Sequence, residues 1–413
     1  MLPFVVFDVN RPRRRVPERA SSRVRAVDDA RAKSLASAPR ERAERGHDDV
    51  EAAKRREVVT LYPGHRDVTM TRVARRLRRA SATLARAMTS MVHHSATRHA
   101  PGANGAVPVV HHASYSKPVM PRGHRFPMTV FQRVHDILRE EGVIARGQTN
   151  CFVPGRAPSV DELCRAHDED YVRDVRASAL DAKREREIGL PWSDALVERT
   201  LMEVSGTMLT VDLAMKVGLC VNTAGGTHHA HRDRGSGFCI VNDLAVSALR
   251  AIDSGAVSRV MIIDLDVHQG DGTAAILANE PGVFTFSAHA KSNFPARKQQ
   301  STRDVELPRG MTDDAYMAVV AAAMRESLED FRPELVIYDA GVDVTSNDTL
   351  GHLDLTVEGL YRRERMVMDT VLGAGIPLAG VVGGGYSPDI DELASRHAVL
   401  HRVAREMFVD HGL

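Results

Sequence analysis

From Val107 onwards, short runs of β-branched and other apolar residues alternate with longer segments that have helical spacing. The helical segments include Ala195 to Val217 and Asp313 to Phe331. Strands that alternate with helices build βαβ units, in which parallel strands form one sheet with helices on both faces. The strand runs read VPVVHH, LCVNTAGG, VMIIDLDVH, VFTFSAH, LVIYDAG and LAGVVGGG. No internal period of about 20–50 residues recurs, so we predict one α/β domain over residues 106–413 rather than a repeat architecture.

The first 105 residues differ from this body in composition. Residues 1–100 contain 23 Lys and Arg, 21 of them Arg, against 11 Asp and Glu, whereas the remaining 313 residues contain 32 basic and 43 acidic side chains. A segment with few aromatic residues and little apolar periodicity buries too little surface to offset the entropy of ordering. We predict a mostly disordered, Arg-rich extension over residues 1–105, and an acidic body that does not bind nucleic acid directly.

Residues 70–100, within this extension, contain many Arg and no Asp or Glu. An Arg-rich, acid-poor amphipathic stretch is typical of organelle transit peptides. Two hypotheses stand side by side. Either Met70 starts a targeting segment for a mitochondrion or plastid, or the stretch is part of an Arg-rich tail of a nuclear or cytoplasmic protein. The sequence leaves the compartment open.

The sequence also argues against a transmembrane helix and a disulfide framework. No run approaches the ~18–20 consecutive apolar residues that span a bilayer, so we expect no membrane-spanning segment. The four cysteines form no CxxC pair, which predicts free thiols in a reducing compartment and no zinc site made of thiolates. They are Cys151, Cys164, Cys220 and Cys239.

The strongest local signal is VMIIDLDVHQGDG at residues 260–272. Because side chains alternate across a strand, Asp264, Asp266 and His268 are predicted to share one face. Three buried polar side chains need a partner, and a metal cation suits carboxylate and imidazole ligands. The alternative is a strand end that reaches solvent. The QGDG that follows, at the end of a parallel strand, favours a metal site.

Polar residues also follow three other predicted strands. His228 and His229 follow LCVN, Asp343 follows LVIYDAG, and Tyr386 follows the glycines at 383–385. Each feature alone is weak, because paired histidines often lie on the surface and glycine triplets often form turns. Ligand sites in open α/β sheets lie beyond the carboxyl ends of the strands. The coincidence at four strand ends therefore predicts one composite site.

These motifs resemble the signature series of the zinc-dependent histone deacetylases. The matching segments, in the family's order, are GGTHHA, SGFCIVND, DLDVHQGDGT, DAGVD and GGGY. The segments PRGHRFPM, IGLPWS, NFPARK and DTLGHLDLT are most similar to the class IV branch and its bacterial relatives. The resemblance covers about Val109 to Arg405. It implies the arginase/deacetylase fold, a three-layer αβα architecture with a mainly parallel eight-stranded sheet.

The resemblance implies two metal sites. One zinc per chain would be held by Asp266, His268 and Asp343, with an open position for water and substrate. A structural potassium ion would be held largely by backbone carbonyls of a second group of residues. That group comprises Asp264, Asp266, His268, Ser287 and Ala288.

The resemblance also assigns catalytic roles. It makes His229 the general base and His228 its neighbour on the carbonyl side of the site. Asp264 and Asp271 are implied to orient His228 and His229 respectively, which fixes the tautomer and raises the basicity of each ring. Tyr386 is implied to donate its hydroxyl to the oxyanion of the tetrahedral intermediate.

Further residues match the family's substrate channel. Gly237, Phe238 and Phe294 resemble the walls that hold the lysine methylenes, although core packing is the alternative for each phenylalanine. Gly384 and Gly385 are implied to let the backbone approach the substrate closely. Gln269 departs from the second histidine of many family members, and we expect no loss of function from it. Cys239 is expected to be a buried free thiol.

The resemblance implies a hydrolase that removes acetyl or longer acyl groups from the Nε-amide of lysine in proteins, histone or non-histone, with chromatin regulation as one possible setting. Two alternatives are a small-molecule amidohydrolase of the acetylpolyamine type and a non-catalytic acyl-lysine binder. A binuclear manganese ureohydrolase is disfavoured because that relative uses DxHxD clusters, whereas this chain has DLDVH. Acyl length, substrate identity, oligomeric state and partners are left open.

Overall fold

Residues 106–413 are described by a computed structural model, and they contain one eight-stranded sheet. The strands are β1 (Val109–Val110), β2 (Cys151–Phe152), β3 (Leu219–Asn222), β4 (Val260–Asp264), β5 (Val283–Ala290), β6 (Arg303–Leu307), β7 (Leu335–Asp339) and β8 (Leu378–Val381). Their order across the sheet is β2-β1-β3-β8-β7-β4-β5-β6. Every pairing among these strands is parallel, which confirms the predicted sheet.

Helices connect the strands and cover the sheet. They are α1 (Val130–Glu140), α2 (Val160–Leu163), α3 (Glu169–Arg176), α4 (Ala182–Ile188), α5 (Asp194–Val217), α6 (Asp243–Asp253), α7 (Asp271–Leu277), α8 (Asp313–Phe331), α9 (Val357–Gly373) and α10 (Ile390–Asp410). One group of helices in mutual contact comprises α1, α10, α9 and α8, and another comprises α5, α6 and α7. The two groups enclose the sheet, as the predicted three-layer αβα fold requires.

The central strands are apolar because both of their faces are covered. All residues of β3, β4, β7 and β8 are buried. Parallel strands covered on both sides read as continuous apolar runs rather than as alternating ones, which is the pattern that identified these strands in the sequence.

A serine cap and a glycine set the two ends of the long helix α5. The side chain of Ser193 accepts a hydrogen bond from the backbone N–H of Leu196, which caps the first turn. At the other end, Gly218 has φ 87°, a conformation that few residues other than glycine adopt. The helix matches the predicted segment to within one residue, and α8 matches its predicted segment as well.

The prediction that Asp264, Asp266 and His268 all lie in one strand is wrong. Strand β4 ends at Asp264. The carboxylate of Asp264 accepts the backbone N–H of Asp266 at 3.1 Å, and the carboxylate of Asp266 accepts the backbone N–H of His268 at 2.9 Å. These side-chain-to-backbone bonds replace the strand ladder and turn the chain into a loop.

Two strands have no counterpart among the six predicted runs. Strand β2 is only two residues long, and β6 lies at the edge of the sheet. The β6 sequence RDVEL is polar because one edge of the strand lacks a neighbour and most of its residues are partly exposed. Neither strand presents the apolar run that marks a central strand.

Several other expectations concern the chain as a whole. The Arg-rich extension over 1–105 and its candidate targeting segment at 70–100 lie outside the described residues. Within residues 106–413, no helix is both long enough and apolar enough to cross a bilayer. All four cysteines lie in this range and are free thiols, and Cys239 is buried as predicted.

A buried ion pair lies within α5, and its arginine also contacts the segment before α1. The guanidinium of Arg199 binds both carboxylate oxygens of Glu203 at 2.8 and 2.9 Å, and the two side chains are each 3% exposed. Arg199 also donates to the carbonyl of Tyr115 and lies 5.4 and 5.0 Å from the ring centres of Phe126 and Phe131. Such a pair is costly to bury, and removal of one partner leaves the other charge uncompensated.

We therefore expect Glu203→Gln to lower the free energy of unfolding by about 3–5 kcal/mol, because Arg199 then remains charged without a carboxylate. The measurement is urea unfolding of the full chain. Glu306→Gln is the matched control, because Glu306 pairs with Lys291 at the surface, at 44% and 71% exposure, and should change stability little. Equal effects of the two variants would contradict a structural role for the buried pair.

Candidate active site

The polar residues predicted from four strand ends lie together in the structure. They follow β3, β8, β7 and β4, which are neighbours in the sheet. The carboxyl ends of these parallel strands point to the same edge, so the loops that leave them meet there. A small cavity of about 40 Å³ opens at this edge, enough room for a group of a few heavy atoms. Its lining includes His228, His229, Asp266, Gly384 and Tyr386.

Asp266, His268 and Asp343 form a compact cluster of possible metal ligands. The Nδ1 atom of His268 lies 3.0 Å from Asp266 Oδ1 and 3.1 Å from Asp343 Oδ2. Ligand atoms around a tetrahedral zinc ion, with bonds of about 2.0–2.2 Å, are separated by about 3.4 Å. The three donor atoms therefore surround one point at nearly the spacing that a metal ion would give them.

Backbone N–H groups hold the two carboxylates of this cluster. The N–H of Gly384 donates to Asp266 Oδ2 at 2.8 Å, and the N–H of Val267 donates to Asp343 Oδ1 at 2.9 Å. The second oxygen of Asp343 is buried and has no hydrogen-bond partner among the described residues. A buried carboxylate oxygen without a donor is costly, and a bound cation would satisfy it. The donor set thus fits a metal ion.

The charges of Asp266, His268 and Asp343 also favour a bound cation. Burial and the neighbouring Asp266 carboxylate raise the pKa of Asp343 to about 7. Burial lowers the pKa of His268, but the carboxylates of Asp266 and Asp343 raise it more strongly, to about 10. Without a metal the cluster must hold a proton to limit repulsion between its carboxylates.

The two adjacent histidines are each oriented by a carboxylate. The Nδ1 atom of His228 lies 2.8 Å from Asp264 Oδ2, and the Nδ1 atom of His229 lies 2.6 Å from Asp271 Oδ1. Because a carboxylate accepts, each Nδ1 carries the proton and each Nε2 faces away from its partner. Asp271 also binds Nε2 of His231 through its other oxygen at 3.1 Å, a contact that the sequence did not reveal.

The two rings differ in charge. Burial lowers the pKa of His228, but Asp264 and Asp266 raise it well above its ordinary value. Burial and the adjacent His228 lower the pKa of His229 to about 3, even though Asp271 favours its charged form. His229 is therefore neutral near pH 7 and can accept a proton at Nε2, beside a ring that carries positive charge.

The loop that carries both histidines is fastened by the next motif, SGFCIVND. The carboxylate of Asp243 accepts the backbone N–H groups of Gly226 and Thr227 at 3.1 and 2.8 Å. The amide of Asn242 donates to the carbonyls of His228 and Ala230. Asn242 and Asp243 hold the histidine loop but do not line the cavity. Their motif was recognised in the sequence, but this role was not predicted.

Tyr386 lines the same cavity as the two histidines. Hydrogen bonds from the loop at Asp348 and Thr349 hold its backbone. Its N–H donates to the carboxylate of Asp348 at 2.6 Å, and its carbonyl accepts the N–H of Thr349 at 3.0 Å. Burial and the carboxylate of Asp343 raise the pKa of Tyr386 well above its ordinary value, so the hydroxyl keeps its proton and remains a donor. The Asp348 clamp was not predicted.

The three residues predicted as channel walls border His229 and Tyr386. The ring of Phe294 meets His229 edge to face, with centroids 4.8 Å apart, and Phe294 is 45% exposed. Phe238 packs 5.9 Å from the ring of Tyr386 and has φ 68°, which is unusual for a bulky residue. A side chain at Gly237 would place its Cβ 2.6 Å from His229 Cδ2, so only glycine lets the backbone approach this ring.

The loop that carries Phe294 is anchored on both sides. The ammonium of Lys298 donates to the carbonyls of Asn293 and Pro295 at 2.5 and 2.8 Å. The amide of Gln269 donates to the carbonyl of Gln299 at 2.8 Å. Gln269, which departs from the family's usual histidine, therefore ties the loop after β4 to the loop that carries Phe294.

The glycines after β8 allow close approach at the metal cluster. A Cβ at Gly384 would lie 2.5 Å from Asp266 Oδ2, so a side chain there would displace the Asp266 carboxylate. A Cβ at Gly385 would lie 2.6 Å from the side chain of Val342. The predicted substrate contact of these two glycines stays a prediction.

A buried arginine supports the two loops that carry Asp266 and Asp343. Arg363 on α9 has no exposed surface and donates to the carbonyls of Leu265, Gly341 and Ala340 at 3.1, 2.8 and 3.2 Å. Leu265 directly precedes Asp266, and Gly341 lies two residues before Asp343. Arg363 thereby holds both loops in register. It sits on an amphipathic helix far along the chain, where the sequence offers no signal of this contact.

The residues of the predicted potassium site lie around the end of β4. Ser287 is the register partner of Asp264 on the neighbouring strand β5, and Ala288 follows it. Both are buried, and the hydroxyl of Ser287 hydrogen-bonds Nδ1 of His289 at 2.9 Å. Potassium binding by this group stays a prediction.

Most of the described chain is similar to a known protein family and to known proteins. The histone deacetylase domain family matches residues 124–402. An uncharacterised protein of Picosynechococcus is 49% identical over 301 residues, which cover 73% of this chain and 99% of that protein. Histone deacetylase 2 of Arabidopsis thaliana is 30% identical over 291 residues, which cover 68% and 74% of the two chains.

A solved structure has the same fold. The crystal structure of the HDA15 HD domain matches with a TM-score of 0.60 and 21% identity, over 74% of this chain and 92% of that one. The family match includes both histidines, the metal cluster and Tyr386, since all lie between residues 124 and 402. The chain therefore belongs to the histone deacetylase family of hydrolases, with the arginase/deacetylase fold.

Proposed function

We propose that this chain is a zinc-dependent hydrolase that removes acyl groups from the Nε-amide of lysine side chains in proteins. The observation that carries the proposal is the pairing of a three-ligand cluster with a neutral, carboxylate-oriented histidine. His229 faces the same small cavity as Asp266, one of the ligands. We assign the activity to residues 106–413 as the catalytic domain.

The ligands in this proposal are Asp266, His268 and Asp343, whose donor atoms lie close together in a buried cluster. Two carboxylates and one imidazole leave a coordination position open, the arrangement of catalytic rather than structural zinc. When bound there, zinc supplies Lewis-acid polarisation of an amide carbonyl and lowers the pKa of water. One zinc per chain is the proposed stoichiometry of this catalytic site.

His229 acts as the general base and later as the general acid. Its Nδ1–H is held by Asp271, so Nε2 is the free position that takes a proton from the attacking water. The charge of the imidazolium that forms is stabilised by the Asp271 carboxylate. The protonated ring then returns the proton to the leaving lysine amine, and the products are a free amine and a carboxylate.

Tyr386 stabilises the charge that develops on the acyl oxygen. Its hydroxyl keeps its proton near neutral pH because burial and Asp343 raise its pKa. The Asp348 and Thr349 contacts to its backbone hold it in place before the substrate arrives. A fixed donor costs no reorganisation when the oxyanion forms.

Phe238, Phe294 and Gly237 form a passage that suits the methylenes of a lysine side chain. The half-exposed ring of Phe294 stands at the edge of His229, where an aliphatic chain would pass. We place the chain in the class IV branch on the strength of PRGHRFPM, IGLPWS, NFPARK and DTLGHLDLT. A histone substrate would connect the activity to chromatin.

The decisive test is turnover of peptides that carry acetyl-lysine or a long-chain acyl-lysine by the zinc-loaded full chain. We expect acetyl-lysine hydrolysis that is lost in His229→Ala, because that variant lacks the base. Acetylated polyamines are assayed in parallel. Turnover of the polyamines alone would transfer the chain to the small-molecule amidohydrolases, and zinc binding without any turnover would indicate a non-catalytic acyl-lysine binder.

Tyr386→Phe should retain zinc and lose about 10²–10³-fold in kcat, since it removes a single oxyanion donor without touching the ligands. Steady-state kinetics and metal analysis of the same preparation measure both effects. Full activity in this variant would remove Tyr386 from the mechanism.

His268→Ala should lose zinc and activity together, because the imidazole is one of three ligands and the two remaining carboxylates repel each other. Metal content by mass spectrometry and peptide turnover provide the readouts. His231→Ala is the control for zinc content. It should retain zinc, because His231 binds Asp271 but is not one of the three proposed ligands. Zinc retained at the wild-type level in His268→Ala would contradict the ligand assignment.

A further inference from the structure

Gln269 is a buried residue whose side chain makes three hydrogen bonds to one segment of the chain. It directly follows His268 in the loop after β4 and is 1% exposed. Its amide nitrogen donates to the carbonyl of Gln299 and to a carboxylate oxygen of Asp304, both at 2.8 Å. Its amide oxygen accepts the backbone N–H of Gln299 at 2.8 Å. Both N–H groups and the oxygen of this amide are therefore used.

The chemistry of this contact suits a primary amide. The oxygen and nitrogen of the Gln269 side chain lie side by side, so they match the N–H and the C=O of a single residue, Gln299. The two nitrogens of an imidazole point in divergent directions, so a histidine at this position would serve one of those two groups. A methionine has nearly the same shape and offers no N–H donor.

The segment that Gln269 holds carries a wall of the substrate channel. Residues 291–302 connect β5 to β6, and we call them the channel loop. Within this loop the ammonium of Lys298 donates to the carbonyls of Asn293 and Pro295, the two residues that flank Phe294. The loop is thus closed on itself by Lys298 and tied to the loop after β4 by Gln269.

The position of Phe294 depends on these backbone anchors. The residue is 45% exposed, so core packing does not fix its ring. The ring nevertheless meets His229 edge to face, with centroids 4.8 Å apart. A Cβ at Gly237 would lie 3.1 Å from Phe294 Cε1, so the opposite wall leaves little room for the ring to move inward.

We propose that Gln269 is a positioning residue that holds the Phe294 ring beside His229 and thereby sets how tightly the channel binds an aliphatic chain. This role rests on the proposed function, in which the channel holds the methylenes of a lysine. Without the three hydrogen bonds, the channel loop must be ordered when a ligand binds, which costs affinity. Among the described residues, the side chain of Gln269 bonds to none of the three proposed zinc ligands.

The test compares two hydroxamates on the zinc-loaded full chain by isothermal titration calorimetry. Both bind zinc through the same group. Acetohydroxamate is too short to pass the ring of Phe294, whereas the aliphatic linker of suberanilohydroxamate must run along it. We expect Gln269→Met to bind suberanilohydroxamate about tenfold more weakly than the wild type, the equivalent of one net hydrogen bond. Its affinity for acetohydroxamate should be unchanged.

Asn150→Leu is the matched control. Asn150 is 5% exposed, and its amide also makes three hydrogen bonds to backbone groups, those of Ala145, Val107 and Val143. It directly precedes β2, at the opposite edge of the sheet from β6. This variant should lose stability but keep the wild-type ratio of the two dissociation constants.

Two outcomes with Gln269→Met would overturn the proposal. An unchanged ratio of the two dissociation constants would show that Gln269 does not position the wall. Equal weakening of both hydroxamates would show that the residue supports the metal cluster instead. If circular dichroism shows that Gln269→Met misfolds, Gln269→His replaces it, with a smaller change expected in the same direction and the same outcomes decisive.

Kinetics with an acetyl-lysine peptide provide a second readout. Gln269→Met should raise KM and leave kcat nearly unchanged, because the channel holds the substrate equally in the ground state and the transition state. A loss confined to kcat would also overturn the proposal. A wild type that binds both hydroxamates but hydrolyses no acylated lysine would refute the proposed function, and the ratio of the dissociation constants would still decide the role of Gln269.

Discussion

The structure depends on the burial of carboxylates at the ends of neighbouring parallel strands. Asp264, Asp266, Asp339 and Asp343 are each at most 2% exposed. Negative charges cannot be buried together unless cations, protons or hydrogen-bond donors compensate them. The surrounding architecture supplies these compensations, and the chemistry of the site follows from how each carboxylate is compensated.

Three kinds of compensation are visible. Backbone N–H groups from loops hold one oxygen of Asp266 and one of Asp343. A histidine pairs with Asp264, and another pairs with Asp271. Among the described residues, one oxygen of Asp343 and both oxygens of Asp339 accept no hydrogen bond, and Nδ1 of His268 lies 3.1 Å from that Asp343 oxygen as an ion pair. The Asp343 oxygen lies in the candidate catalytic cluster, where the proposed zinc ion would bind it.

Rigidity comes from groups outside the site. Arg363 holds carbonyls of the loops before Asp266 and Asp343. Asp243 holds the loop before the histidines, and Asp348 holds the backbone of Tyr386. Each contact joins elements that are far apart in sequence. Family membership follows from the match over residues 124–402, whereas the zinc, the acyl-lysine substrate and the residue roles are proposals that rest on this geometry.

The sequence by itself determined the layered fold and the candidate residues, because buried parallel strands read as apolar runs and the polar residues stand just after them. It could not reveal that β4 ends at Asp264, since that depends on side-chain bonds to the following backbone. It also missed Asp339 and Arg363. The sequence around an aspartate at a strand end or an arginine on a helix does not indicate that the side chain is buried. The pairing of β7 with β4 decided the surroundings of Asp339, and the packing of α9 behind the loops decided those of Arg363.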